Sequence, residues 1–136
     1  MTAGYSGTPL VKKLGIKPGY SYMIVNAPDH YFDLLGDLPE DVQQVSFDHE
    51  EPIDFIHVFA KDEATLHADF PPLKAKLAKH GTLWVSWIKK ASKMDTDISD
   101  MNVRNLGLKI GLVDVKVCAV DQDWSGLKFM YRKEDR

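Results

Sequence analysis

The chain has 136 residues, with 17 Lys and Arg against 20 Asp and Glu, 44% hydrophobic and 27% charged content. That is the length of one domain able to bury roughly two thirds of its unfolded surface, and its net charge of −3 in mixed signs gives no indication of nucleic-acid binding. No apolar run approaches the roughly 20 residues of a membrane span. The N-terminal MTAGYSGTPL lacks the basic segment and apolar core of a signal peptide, and the single Cys118 excludes an internal disulfide and fits a reducing cytoplasm.

Residues 1–7 are small and polar and read as a mobile arm. Thr8-Pro9 is a helix start, with Thr as N-cap and Pro at the first helical position, and Gly15 is its stop. After the Lys17-Pro18-Gly19 turn comes a strand, Tyr20–Val25. Asp29 is placed to cap a short helix over His30–Leu35, ended by Gly36. Val42–Phe47 alternates apolar and polar residues, as an edge strand does. Phe55–Ala60 is a buried strand, and Asp62 caps a helix whose Leu66, Phe70, Leu73 and Leu77 share one face. Pro71-Pro72 predicts a kink or two short helices, and His80-Gly81 a stop. Thr82–Trp87 is the next strand, followed by a helix capped by Thr96 or Ser99 and ended by Gly107. Val113–Val120, a turn at Asp121–Gly126 and a return strand at Leu127–Arg132 close the chain. Strands alternating with helices imply a three-layer α/β domain over residues 1–136, with a mainly parallel Rossmann-like sheet and a C-terminal antiparallel hairpin strand.

In such a sheet, ligands bind beyond the carboxyl ends of the strands. That rule selects Asn26 after the first strand, Lys61 after the third, Trp87, Lys89, Lys90 and Ser92 after the fourth, and Asp123 and Trp124 in the final turn. Aromatic side chains beside ammonium groups suit an anionic or planar ligand. Each residue also has a structural reading: Trp87 as core, the lysines as a solvated loop, Asp121, Asp123, Ser125 and Gly126 as turn formers, Cys118 as a small buried hydrophobe. His30, His49, His57, His67 and His80 show no metal-ligand spacing, so no metal is expected, and His57 inside a strand reads as packing.

The segments YSGTPLVKKLGIKPG (5–19), LWVSWIKKAS (83–92) and GLVDVKVCAVDQDWSGLKF (111–129) resemble those of a family of small bacterial proteins classed as a domain of unknown function. That resemblance implies a cytoplasmic bacterial protein and assigns no catalytic residue. The order of elements is more distantly similar to S-adenosylmethionine-dependent methyltransferases, in a reduced form. In that architecture the return strand lies between Thr82–Trp87 and Val113–Val120, and one helix–strand–helix portion between the second and third strands is missing. Such enzymes place glycines after the first strand so that backbone can approach the cofactor. Here the segment is VNAPDHY, and Pro28 removes an N–H besides. Asp48, Glu50 and Glu51 are available for ribose hydroxyls, but acids in a loop are common. No cofactor is therefore expected, and the primary reading is a non-catalytic domain binding a small anionic ligand or a protein at the strand-end edge, with neither nucleic acid nor membrane as partner. The alternatives are a methyltransferase with a degenerate cofactor loop, or an enzyme of another class using Lys89 or Lys90.

Overall fold

The computed structural model describes residues 9–90, 92 and 94–136. The expected N-terminal arm and the Thr8 cap lie outside them. Six strands form one sheet: β1 (Ser21–Val25), β2 (Gln43–Gln44), β3 (Ile53–Ala60), β4 (Leu77–Ile88), β5 (Leu112–Ala119) and β6 (Trp124–Tyr131), in the order β2-β1-β3-β4-β6-β5. β1 pairs in parallel with β2 and β3, and β3 with β4. β6 is antiparallel to both β4 and β5, so the return strand has the two neighbours expected of it. The chain leaves β1 toward β2 and comes back to β1's other side as β3, which makes the carboxyl ends of β1 and β3 the topological switch point. Residues 45–52 cross that distance with no helix, where the larger fold would insert further elements.

The helices are α1 (Leu10–Leu14), α2 (Tyr31–Leu35), α3 (Glu63–Leu73) and α4 (Asp100–Lys109). Asp62 caps α3 by accepting from the Thr65 N–H at 2.7 Å. Ser99, not Thr96, caps α4, in a reciprocal capping box with Asn102. Pro9 sits one position outside α1, and α2 starts without a side-chain cap: His30, not Asp29, holds the N-cap position.

Three stop signals act elsewhere than expected. Pro71 and Pro72 stay inside α3, which then tightens into one 3₁₀ turn (Lys74–Lys76). Leu77 belongs to β4, and His80-Gly81 lies within that strand. A Cβ on Gly81 would stand 2.8 Å from the Asp54 carbonyl oxygen, so glycine there serves a close approach of strands at the β3/β4 irregularity. Gly107 is inside α4, where a Cβ would fall 2.1 Å from the Phe129 ring; the left-handed turn that ends this segment is at Gly111, φ 96°. The expected edge strand over residues 42–47 shrinks to Gln43 and Gln44, both exposed. The final hairpin is tighter than expected, because Trp124, Ser125 and Gly126 already belong to β6.

Two cores flank the sheet. Under α3 and α4 lie mainly aliphatic side chains such as Ile56, Val58, Leu66, Leu83, Val85, Val103 and Leu106, with Phe70 against Phe129. Under α1 and α2 the filling is largely aromatic: Tyr22, Tyr31, Phe55, Phe59, Trp84 and Trp124. The Trp84 indole N–H donates to the Leu14 carbonyl at 2.8 Å, pinning the end of α1 to the sheet.

Candidate functional site

The strand-end edge carries its polar groups in two places. The first is a crevice of about 470 Å³ at the switch point, lined by Asn26, Phe59, Lys61, Asp62, Thr65, Asp69 and Trp124. Asn26 ends β1 in the left-handed region at φ 60°, a conformation that asparagine tolerates better than other residues with a Cβ. Its amide donates to Asp69 Oδ2 at 2.7 Å and to the Phe59 carbonyl at 3.4 Å, bracing the turn against α3 and β3. The Asp62 carboxyl is held below its ordinary range by hydrogen bonds from Thr65. With Asp69 beside it, the crevice offers two carboxylates and one ammonium group.

The second place lies past β4. Lys89 and Lys90 line both of two depressions, about 450 Å³ and 330 Å³ in volume. The larger includes Ser92, Asp95 and Asp97; the smaller includes Trp87, Asp100 and Ser125. Asp123 organises this end: its carbonyl accepts from the Lys89 N–H at 2.8 Å and its carboxylate from Ser92 Oγ at 2.9 Å.

The residues singled out in the sequence are thus divided between these two places. Asn26, Lys61 and Trp124 meet in the crevice, while Trp87, Lys89, Lys90, Ser92 and Asp123 gather past β4. The two tryptophans do not form one wall. Trp87 pairs with Ser125 and Trp124 with Ile88, and Trp87 packs into the α3/α4 core while Trp124 packs into the α1/α2 core. Adjacent positions on a strand face opposite ways, which assigns the tryptophans to different depressions.

Other polar groupings had no signal in the sequence, because their members are far apart along it. His57 is fully buried and bonded at both ring nitrogens, with Tyr31 Oη 2.8 Å from Nδ1 and Ser86 Oγ 2.6 Å from Nε2. Burial pushes its pKa down to about 3. The packing role read for His57 is therefore joined to a polar one. His30 Nε2 lies 2.8 Å from Asp121 Oδ2, linking the start of α2 to the β5–β6 turn. Burial alone would raise the Asp121 carboxyl, but contacts with His30 and with the N–H groups of Asp123 and Trp124 outweigh it and leave the carboxyl below its ordinary value. Cys118 is half-buried, and burial raises its thiol pKa against the pull of nearby lysines. Among the described residues, no group of three His, Cys, Asp or Glu side chains is placed to hold a metal ion, and no helix is long and apolar enough to cross a membrane.

The chain matches no protein-family model and no curated protein. Solved structures do match in fold. A SAM-dependent methyltransferase from Aquifex aeolicus superposes with a TM-score of 0.59 at 17% identity, covering 90% of this chain and 88% of that one. A TehB-like SAM-dependent methyltransferase from Corynebacterium glutamicum gives 0.59 at 8% identity, covering 91% and 86%. A third, the DhpI–SAH complex, gives 0.60 at 9% identity, covering 92% and 83%. The chain has the methyltransferase-like, Rossmann-like fold.

Proposed function

We propose that the crevice at the carboxyl ends of β1 and β3 binds S-adenosylmethionine or a close relative, and that the chain is a small methyltransferase. The observation that carries this reading is the conformation of Asn26. Glycines after the first strand serve a tight left-handed turn, and Asn26 makes such a turn at φ 60° with its side chain tied to Asp69. The missing glycine is thereby met in part, although Asn26 keeps a Cβ and Pro28 still withholds an N–H.

The donor set fits the charge of such a ligand. Asp62 and Asp69 suit an ammonium or sulfonium group, Thr65 offers a hydroxyl, and the edges of Phe59 and Trp124 give apolar walls. When bound, the group supplies an electrophilic methyl. The protein's part is to hold and orient it and to screen the crevice from water. Calorimetry tests the reading. Wild type should bind S-adenosylmethionine and S-adenosylhomocysteine with micromolar affinity, and Asp69→Ala should bind at least about tenfold more weakly, having lost a charged partner and the brace on Asn26. No heat with either compound at millimolar concentration would sink it.

A second reading, a non-catalytic domain taking an anionic ligand or a protein at the same edge, is favoured by Lys89 and Lys90, which border both depressions past β4. A Lys89→Ala, Lys90→Ala variant should melt near wild type, because exposed charges contribute on the order of 0–1 kcal/mol. It should also lose any thermal shift that wild type shows with carboxylates or phosphates. An unchanged shift removes this reading.

A further inference from the structure

We propose that Lys17, Lys116 and Lys128 form a binding site for a phosphate-bearing anion, on the α1 side of the sheet and away from the switch-point crevice. The geometry starts from strand register. Trp84, Lys128 and Lys116 stand side by side across β4, β6 and β5. Trp84 belongs to the α1/α2 core, so all three side chains leave the sheet on that face. The Trp84 indole holds the end of α1 through the Leu14 carbonyl, and Lys17 follows on the loop leaving that helix. The row is therefore bounded by α1 on one side and the outer edge of the sheet on the other.

Two lysines directly opposite on neighbouring antiparallel strands repel each other, and such pairs are destabilising. Among the described residues no ion pair offsets this one. Among the described residues the ion pairs are His30 with Asp121 and Arg104 with Asp114, and neither involves these lysines. The one acid on β5, Asp114, is turned to the other face: the extra residue Val115 interrupts the pairing between Asp114 and Lys116, and Asp114 meets Arg104 of α4. The bulge thus removes the carboxylate that regular alternation would have set on the lysine face. Lys128 is only half-exposed, and its pKa is lowered by burial, then by Lys116 and Lys17. Two residues along β5, Cys118 feels Lys13, Lys116 and Lys89, so the positive potential continues toward the end of β4.

A partly desolvated ammonium pair, with Lys17 near enough to act on Lys128, has an excess of donors and, among the described residues, no acid paired with it. A phosphate group supplies three or four acceptor oxygens and up to two negative charges, which turns the repulsion into charge-assisted hydrogen bonds. A single carboxylate brings one negative charge on two oxygens, whereas a phosphate brings up to two on three or more, so phosphate and diphosphate groups are the class of ligand these three lysines best satisfy.

Calorimetry with sodium pyrophosphate, at ionic strength fixed with sodium chloride, tests the site. Wild type should bind, and Lys116→Gln with Lys128→Gln should weaken binding at least about tenfold. Lys109→Gln with Lys133→Gln, which removes the same charge elsewhere, should bind as wild type. ATP and orthophosphate in parallel distinguish a nucleotide from a free phosphate as the source, and tighter binding of either supports the site if the Lys116/Lys128 variant loses it. Folding is controlled for by melting without ligand, where relief of repulsion should raise the melting temperature of the Lys116/Lys128 variant rather than lower it. The proposal is overturned if pyrophosphate gives no heat, if the Lys116/Lys128 variant binds as wild type, if Lys89→Ala with Lys90→Ala alone abolishes binding, or if a single-stranded RNA binds where pyrophosphate does not.

Discussion

The two faces of the sheet are built from different chemistry. Under α3 and α4 the core is packed hydrocarbon, closed by a glycine that lets α4 rest on Phe129. Under α1 and α2 two five-residue helices cover a layer of aromatic rings threaded by Tyr31, His57 and Ser86, with Phe59 stacked on His57 at 4.2 Å. The first face can be held by burial alone, worth about 25 cal/mol per Å². The second must satisfy every polar atom it buries, or lose about 1–3 kcal/mol for each one left unpaired. The rim of the polar face carries Trp124, the His30–Asp121 pair and the lysine row, while Asn26 is tied across to Asp69 of α3, so the crevice draws on both faces.

The comparison breaks most visibly at His57. Replacing it with alanine leaves a cavity between Phe55, Phe59 and Trp84 and strips partners from two buried hydroxyls, Tyr31 Oη and Ser86 Oγ. Urea denaturation should show a loss of about 3–4 kcal/mol. A loss below about 1 kcal/mol would mean that the polar thread contributes nothing beyond packing.

Acid sharpens the same contrast without mutation. His57 is held neutral in the fold at a pKa of about 3, against 6.5 for an exposed histidine. Between those values the unfolded chain takes up a proton that the folded protein refuses. Stability is therefore full above about pH 6.5, falls by up to about 1.4 kcal/mol per pH unit as pH drops, and levels off below about pH 3. Denaturation midpoints at pH 7, 6 and 5 should fall in wild type. The decline should be shallower in His57→Gln, and equal slopes would show that the histidine titrates alike in both states.

On the aliphatic face the sensitive point is steric. Gly107→Ala sets a methyl 2.1 Å from a Phe129 ring carbon, so the fully buried ring or the helix must shift. Overpacking of this kind costs about 1–3 kcal/mol, more than the gain in helix propensity of up to about 1 kcal/mol. Gly107→Ala paired with Phe129→Leu should recover part of the loss, and a stabilised single variant would contradict the packing described.

Much of this fold was legible before any coordinates. The central strands and the closing hairpin follow from β-branched runs, turn residues and the alternation of elements, all local signals, whereas the return strand's place between β4 and β5 came from the resemblance to methyltransferase architecture. The glycines misled, because a sequence does not say whether a glycine is present for its backbone or for its missing side chain. Gly81 and Gly107 are there so that Asp54 and Phe129 can approach, and neither neighbour is nearby in sequence. The site was legible by position only. The strand-end rule selected Asn26, Lys61 and Lys89, and the structure divides them between two depressions; the absence of a glycine from VNAPDHY did not reveal that Asn26 itself takes the left-handed turn. Tyr31 with His57 and Ser86, and Lys116 with Lys128, depend on register across strands and helices, and no spacing in the chain announces them.

The smallest expected effect runs in the stabilising direction. Thr82 lies opposite Phe55 on β4, on the aromatic face, and its hydroxyl is buried without a hydrogen-bond partner among the described residues. Every other buried side-chain polar atom described there is paired, which makes this the one place where the polar face breaks its own rule. Thr82→Val keeps the β-branched shape and removes the unpaired oxygen. It should stabilise the fold by about 1 kcal/mol, since the penalty for an orphaned hydroxyl vanishes while the packing volume is kept. The matched change Ser86→Ala removes a hydroxyl that is paired, to His57 at 2.6 Å, and should destabilise by about 1–2 kcal/mol. Opposite signs at two hydroxyls four residues apart on one strand would establish that this face is held by pairing and not by polarity as such. A destabilised Thr82→Val would show instead that its hydroxyl is satisfied, and the distinction between the two positions would collapse.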